Sequence, residues 1–188
     1  LYRNIQKFLL FQLTINVAAC LIVLLGSLLG TESPLTITQM LWVNLIMDTF
    51  AAGALASLPP NEQVMKDKPR RSGKDGDFII TRPMAYNIFG VGLSFVIVLI
   101  GLLLHFHAQD GLTPHDLSWF FSFFVMLQFW NMFNAKAFME GRSAFANLKG
   151  CKSFLMVALL IIVGQYLIVT FGGEMFSVVP LSWKDWGI

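Results

Sequence analysis

Charged residues are scarce in this chain of 188 residues: they make up 13% of it, whereas soluble domains carry about 25%. Hydrophobic residues make up 56%, and the mean hydropathy is +0.67. This balance excludes an ordinary soluble domain and predicts an integral membrane chain. The formal net charge of +2 says little, because the distribution of the charges matters more than their sum.

Catalytic and redox motifs are missing as well. The sequence has no Gly-x-x-x-x-Gly-Lys-Ser/Thr phosphate loop, no Gly-x-Gly-x-x-Gly, no Gly-x-Ser-x-Gly and no His-Glu-x-x-His, so no catalytic or cofactor-binding residue is predicted. The two cysteines, Cys20 and Cys151, are expected to pack without forming a disulfide. The chain begins with Leu1 and shows no signal peptide, so we expect a fragment or a processed product.

Five apolar segments approach the ~20 residues that a membrane-spanning helix needs. The fifth is followed by Gly172 and Gly173, and the tail beyond carries Trp183 and Trp186, which are typical of a membrane interface. We therefore predict an all-α membrane bundle of five transmembrane helices across residues 1–188. The segments are 8–29, 35–58, 84–106, 117–137 and 154–171.

The basic residues predict the orientation of these segments. With a cytoplasmic N-terminus, twelve of the thirteen lysines and arginines fall on the cytoplasmic side, and only Lys184 falls outside. The C-terminus is then extracytoplasmic, and we expect a sixth span beyond it. Residues 59–83 form a polar cytoplasmic loop near the lipid headgroups, so the expected partner is the bilayer and not a nucleic acid.

Asp48 is a carboxylate inside the apolar segment 35–58. A charge at a helix centre in a membrane costs about 2.5 to 3.5 kcal/mol on insertion scales, and such residues usually mark an ion or substrate path. Asn44 lies four positions earlier, so a helix would place both side chains on one face. A carboxylate and an amide oxygen are hard ligands of the kind that calcium or magnesium prefers.

Asn16, in the middle of segment 8–29, has two interpretations. It could form an interhelical hydrogen bond, worth about 0.6 kcal/mol on average in membranes. It could instead face Asn44 and Asp48 as a third cation ligand, which we favour because Asp48 lies on the next helix. No Lys or Arg within the apolar segments is an obvious partner for Asp48, so a bound cation or a proton would neutralise it.

The small residues 51–54 follow Asp48 and also have two interpretations. They could allow close helix packing. They could equally mark a helix that loosens near its ligands and frees carbonyl oxygens for an ion. The sequence leaves both open.

Other polar residues of the apolar segments are expected to have structural roles. Gln128 and Asn131 could help line an ion path, but interhelical hydrogen bonding is favoured. Ser118 and Ser122 are expected to bond back to their own helix. The histidines have the spacing of no standard metal site and are interpreted as interfacial residues: His105, His107 and His115.

Two functions would explain polar residues inside apolar segments. In a secondary cation transporter or an ion channel subunit, Asp48 would be a proton relay or a pore acid. In a membrane scaffold without transport activity, the polar residues would only bond helices together. The scaffold predicts that a change from Asp48 to Asn leaves ion handling intact, and the transporter predicts ion flux without ATP.

The segment 39–49, QMLWVNLIMDT, is followed ten residues later by Pro59 and Pro60. With this combination the chain closely resembles the P-type calcium ATPases, and above all the plasma-membrane type. The similarity continues in segments 7–17 (KFLLFQLTINV), 133–135 (FNA) and 171–173 (FGG), and it covers essentially all 188 residues.

The resemblance implies that the five segments are the fifth to ninth transmembrane helices of a ten-helix pump. Asn16 would be its fifth-helix calcium ligand, and Asn44 and Asp48 its sixth-helix ligands. The parent protein would use magnesium and ATP, form an aspartyl phosphate, and export calcium across a plasma membrane, in exchange for protons. This chain lacks the phosphorylation and nucleotide-binding domains, so it would be inactive alone and would work with the rest of the pump, which the loop 59–83 would contact.

Departures within that family predict a single calcium site. The reticulum-type pumps bind two calcium ions and place Glu, Thr and Glu where this chain has Ala19, Met47 and Gln128. Because those ligands serve mainly the first of the two sites, their absence implies one site, as in the plasma-membrane type. Manganese is an alternative cargo, since oxygen ligands also serve it.

Overall fold

The computed structural model describes residues 2–28, 30, 33–59, 78–109, 112–138, 140 and 143–187. These residues form helices and no β-strand, which confirms the predicted all-α class. Short 3-10 turns lie at Leu148–Gly150 and Asp185–Gly187. The longer elements are α1 (Tyr2–Leu28), α2 (Ile37–Trp42), a π-helical segment (Val43–Asp48), α3 (Thr49–Ala56), α4 (Arg82–Gln109), α5 (Pro114–Ala137), α6 (Lys152–Phe171) and α7 (Gly173–Phe176).

A helix or a broken helix occupies each of the five apolar segments. By length and composition, α1, α4 and α6 could cross a membrane. The segment 35–58 is divided among α2, the π segment and α3. α5 is one continuous helix, but serine and amide residues interrupt its run of apolar residues. Membrane crossing by these two segments stays a prediction, as does the orientation of the termini. Most of the predicted loop 59–83, residues 60–77, lies outside the described residues.

The same capping device begins α2 and α5. Thr36 and Thr113 each accept a hydrogen bond from the backbone N–H three residues on, at Gln39 and Asp116. The side chains of Gln39 and Asp116 accept from the threonine backbone N–H in return. This reciprocal arrangement satisfies N–H groups that a helix start leaves without partners.

Two glycines end α6 where the sequence predicts its end. A Cβ on Gly172 would lie 2.4 Å from the carbonyl oxygen of Ile168, and Gly173 has a φ of +46°, in the left-handed region that favours glycine. The chain can therefore leave α6 sharply and form α7.

α5 lies at the centre of the bundle and contacts three other helices. Asn131 donates to the carbonyl of Phe11 on α1, at 3.3 Å. Trp119 packs edge-to-face with Phe106 of α4, the ring centroids 5.8 Å apart. Aromatic and polar contacts also join α5 to α6, including Phe133 against Phe154 at 5.1 Å. This position explains why 13 of the 24 residues of α5 are buried.

α1 and α4 form the most extensive helix–helix contact. Gly92 of α4 faces α1 closely: a Cβ there would lie 3.4 Å from Cγ1 of Val17 and 3.6 Å from the carbonyl oxygen of Thr14. Small residues allow such close approach, which drives helix association when lipid offers no hydrophobic gain. The opposite side of α4 is apolar and exposed, as at Leu93 and Ile97.

Buried charges hold together one end of the bundle, here named the Lys7 end. The ammonium of Lys7 pairs with the carboxylate of Glu140 in the segment after α5. Nζ of Lys136 donates to the carbonyl oxygens of Ala144 and Ala146, at 3.1 and 2.8 Å. A buried ammonium with such partners avoids the large cost of an unpaired charge.

At the opposite end, the His115 end, the C-terminal tail folds back onto α5. The backbone N–H of Val179 donates to Oγ of Ser118 at 2.7 Å. Hydrogen bonds from the hydroxyl and then the backbone N–H of Ser182 lower the pKa of the Asp185 carboxyl, and His115 at 3.3 Å adds to this effect. These contacts fix the tail where the chain turns after α7.

Candidate cation site

The helix that carries Asn44 and Asp48 changes geometry at those residues. α2 ends at Trp42, Val43–Asp48 is π-helical, and α3 begins at Thr49. A π-helix bonds each N–H to the carbonyl five residues earlier, and such turns occur frequently at functional sites. Asn44 is half-buried. The structure describes Asp48 as the last residue of the π segment, and its side chain lies outside what is described.

Residue counting from a shared contact predicts a similar depth for Asn16 and Asn44. Nδ2 of Asn4, in the first turn of α1, donates to the carbonyl oxygens of Ala56 and Leu58, both at 3.0 Å. Twelve residues separate Asn4 from Asn16, and twelve separate Asn44 from Ala56. α1 and the broken helix (α2, the π segment and α3) lead away from this contact, and twelve residues of a regular α-helix rise about 18 Å. The two amides are therefore expected at similar levels, with a difference set by the π segment.

Neither of these two amides has a hydrogen-bond partner in the part of the chain that the structure describes. Within the described residues, the side chains of Asn16 and Asn44 form no hydrogen bond with another residue. Asn16 is half-buried, in the middle of α1. The interhelical hydrogen bond considered for Asn16 is therefore absent from this part of the molecule, and its amide oxygen is free to accept a ligand.

Polar residues elsewhere in the apolar helices follow the expected structural roles, with one exception. Ser118 and Ser122 donate to carbonyls four residues earlier, as predicted. Asn131 bonds to α1, also as predicted. Gln128 is fully buried, yet neither its Nε2 nor its Oε1 has a partner among the described residues. Gln128 thus differs from the interhelical bond expected of it.

Two of the small residues 51–54 pack inside the bundle, and the π segment lies just before them. α3 is a regular helix in which Ala51 and Ala54 are buried. It packs against α1 and α6. The π segment, Val43–Asp48, contains both predicted ligands of this helix. The sequence left close packing and loosening open for residues 51–54, and in the structure they form a regular helix with Ala51 and Ala54 packed inside.

Three residues that hold the broken helix in place were not predicted. Asn4 binds its C-terminal end, Gln39 donates from Nε2 to the carbonyl of Phe176 at 2.9 Å, and Trp42 packs on Gly164 of α6. The capping pattern Thr36-x-x-Gln39 was visible in the sequence, but nothing local indicates these distant partners.

The arrangement suits a hard cation that takes oxygen ligands. Two amide residues, together with a carboxylate residue in the same π segment as Asn44, would provide a mixed donor set of that type. No group of three His, Cys, Asp or Glu side chains within the described ranges could hold a metal. A site here would therefore depend on amide and backbone oxygens beside Asp48.

Comparison with known proteins identifies the family of the chain. Residues 32–188 match the family described as cation transporting ATPase, C-terminus. The chain is 38% identical over 197 residues to plasma membrane calcium-transporting ATPase 3 of Homo sapiens and 37% identical over 196 residues to plasma membrane calcium-transporting ATPase 2 of Oreochromis mossambicus. It is 37% identical over 191 residues to a probable calcium-transporting ATPase 8, plasma membrane-type, of Oryza sativa subsp. japonica.

These matches cover 98% of this chain but only 16 to 18% of the three relatives. The similarity therefore concerns one region of a much longer protein. The family match extends over most of the chain and includes the broken helix with Asn44 and Asp48. The chain belongs to the family of cation-transporting ATPase C-terminal regions, and its sequence is of the plasma-membrane calcium pump type.

Proposed function

We propose that this chain is the C-terminal membrane part of an ATP-driven calcium export pump of a plasma membrane. Two observations support the proposal: the amides of Asn16 and Asn44 form no hydrogen bond with another described residue, and the helix that contains Asn44 is π-helical up to Asp48. Polar groups placed in apolar helices without protein partners are costly, so a ligand is the physical reason to keep them.

In the proposed mechanism, Asp48 and Asn44 hold one calcium ion from the broken helix, and Asn16 adds an oxygen from α1. Ala19 is a buried apolar residue of α1, which fits a single site. Calcium would compensate the charge of Asp48, and a proton would do so after release. The remaining helices of the pump would complete the ligand set.

ATP hydrolysis would be coupled to the cation site through movement of the helices that contain the ligands. Magnesium and ATP would act on the cytoplasmic domains of the parent protein, where an aspartyl phosphate forms, and not on this chain. Because Asn4 ties the start of α1 to the end of α3, a displacement of α1 would carry α3 with it. The loop 59–83 would contact the phosphorylation domain, with the N-terminus of the chain cytoplasmic.

The test uses the full-length parent protein in membrane vesicles, with radiolabelled ATP and with or without calcium. We expect an acid-stable, hydroxylamine-sensitive phosphoenzyme that requires calcium, and Asp48→Asn should abolish both this requirement and calcium transport. Asp185→Asn is the matched control, since it makes the same chemical change outside the apolar helices. Near-normal calcium uptake by Asp48→Asn would contradict the ligand assignment.

The same assay separates the rival functions and the rival cargo. A phosphoenzyme absent under every cation would reject the pump and favour a secondary transporter or channel, in which Asp48 is a proton or pore residue. A phosphoenzyme that responds to manganese at lower concentration than to calcium would change the cargo but keep the site.

A further inference from the structure

The indole ring of Trp42 packs against α6 at a glycine. Trp42 is the last residue of α2, so the π segment begins immediately after it. Its ring lies on Gly164, where a Cβ would be 3.2 Å from Cζ2 and 3.4 Å from Cη2 of the indole. Phe176 of α7 meets the same ring edge-to-face, with 6.1 Å between centroids and 83° between planes. Only a residue without a side chain at position 164 leaves the ring where it is.

Gln39 caps α2 and also joins it to α7 by one hydrogen bond. Its Oε1 accepts from the backbone N–H of Thr36 at 3.1 Å, and its Nε2 donates to the carbonyl of Phe176 at 2.9 Å. The side chain is buried, so both bonds are shielded from competing water. α2 is therefore joined to the region of α6 and α7 by an aromatic contact and a polar contact.

The π segment lies between this attachment and a second one. Asn4 holds the far end of α3 through the carbonyls of Ala56 and Leu58. Side chains thus hold the broken helix at both ends. Its α2 end contacts α6 and α7, and the end of α3 is bonded to α1. A displacement between these two supports would be absorbed by the irregular turn in the middle, where Asn44 lies.

We propose that Trp42, seated on Gly164, is a positioning residue for the cation site: it fixes one end of the π segment, so that motion of α1 and α3 changes the geometry at Asn44 and Asp48. This role rests on the proposed function. Trp42 acts through the backbone of the next turn and touches no ion. The fit of one ring on one glycine then determines how closely the ligand oxygens match the cation.

The experiment measures the calcium dependence of phosphoenzyme formation in the full-length protein bearing Gly164→Ala. The added methyl group must displace the indole by a few tenths of an ångström, which we expect to raise the half-saturating calcium concentration about threefold to tenfold. The maximal phosphoenzyme level should stay unchanged. Gly101→Ala is the matched control, because a Cβ at Gly101 of α4 meets nothing within 4 Å.

A second change tests whether the ring is the cause. Trp42→Phe in the Gly164→Ala background provides a smaller ring, which leaves room for the methyl group and should return the half-saturating concentration toward the wild-type value. A loss of maximal phosphoenzyme without a shift in calcium dependence would indicate a merely structural contact and overturn the proposal. An unchanged calcium dependence in Gly164→Ala would overturn it as well.

Failure of the proposed function would have a different signature. Wild-type protein that forms no calcium-dependent phosphoenzyme would reject the pump itself, whatever the variants do. If Gly164→Ala is not recovered as folded protein, Phe176→Leu decides the question: it keeps an apolar side chain beside Trp42 but removes the edge-to-face contact. A shift in half-saturating calcium of about twofold or more would support the proposal, and no shift would reject it.

Discussion

Asn16 and Asn131 are both amides in the middle of long apolar helices, and their surroundings differ. Asn131 is buried, donates to the carbonyl of Phe11, and accepts from Asn134 at 3.5 Å. Asn16 is half-buried and forms no hydrogen bond to another described residue. Asn131 therefore joins two helices, as an interhelical amide is expected to do. The different surroundings of Asn16 agree with the prediction that its amide binds a ligand, which the following variants test.

Gln128 is a third amide, which shares burial with Asn131 and the lack of a described hydrogen-bond partner with Asn16. It is as buried as Asn131, yet both of its side-chain polar atoms lack partners among the described residues. Burial without a partner costs free energy, because water satisfied the same atoms in the unfolded chain. Variants of the three amides can therefore separate an effect on calcium dependence from an effect on stability.

The largest effect is expected for Asn16→Leu. Loss of a partner of a metal ligand typically costs 10- to 100-fold in affinity, so loss of a ligand itself should raise the half-saturating calcium concentration by about 100-fold or more. Thermal stability should not fall, since no described hydrogen bond is lost. Calcium-dependent phosphoenzyme and a thermal unfolding curve in detergent measure the two effects. An unchanged calcium dependence would place Asn16 with Asn131 instead.

Gln128→Met should increase stability and leave the calcium dependence unchanged. The thioether has a similar length and needs no hydrogen bond, so the free energy of unfolding should rise by about 1 to 3 kcal/mol. Denaturant titration of the full-length protein gives this value. A fall in stability would mean that Gln128 has a partner elsewhere in the pump, and a fall in calcium affinity would argue against a single site.

The smallest effect is expected for Asn131→Leu, which makes the same atomic change as Asn16→Leu. It removes one interhelical hydrogen bond, so the free energy of unfolding should fall by about 0.6 kcal/mol. The half-saturating calcium concentration should stay at the wild-type value. If Asn131→Leu shifted calcium dependence as strongly as Asn16→Leu, the distinction between the two amides would be wrong.

Features that depend on local pattern could be predicted from the sequence. The helical segments, the end of α6 at Gly172 and the bonds of Ser118 and Ser122 to their own helix all follow from periodicity, glycine geometry or hydroxyl chemistry within a few residues. The candidate ligands Asn16, Asn44 and Asp48 were also visible, because polar residues are rare in apolar runs. Their assignment as ligands stays a prediction.

Features that depend on distant pairs could not be predicted. Lys7 pairs with Glu140 across 133 positions, and Gln39 reaches Phe176 across 137. No spacing rule links such residues, since the pairing is set by how the helices pack. The π turn belongs to the same class: a run of six residues can be α- or π-helical, and contacts at its two ends help to decide between them.

The buried polar residues of α5 have a consequence for how the protein enters a membrane. By length and composition, α1, α4 and α6 could cross a membrane. Among the described residues, both buried serines and two of the five buried amides lie on α5, which follows α4 along the chain. Because these polar groups lose water when they enter a bilayer, we expect α5 to insert beside α4, against which it packs.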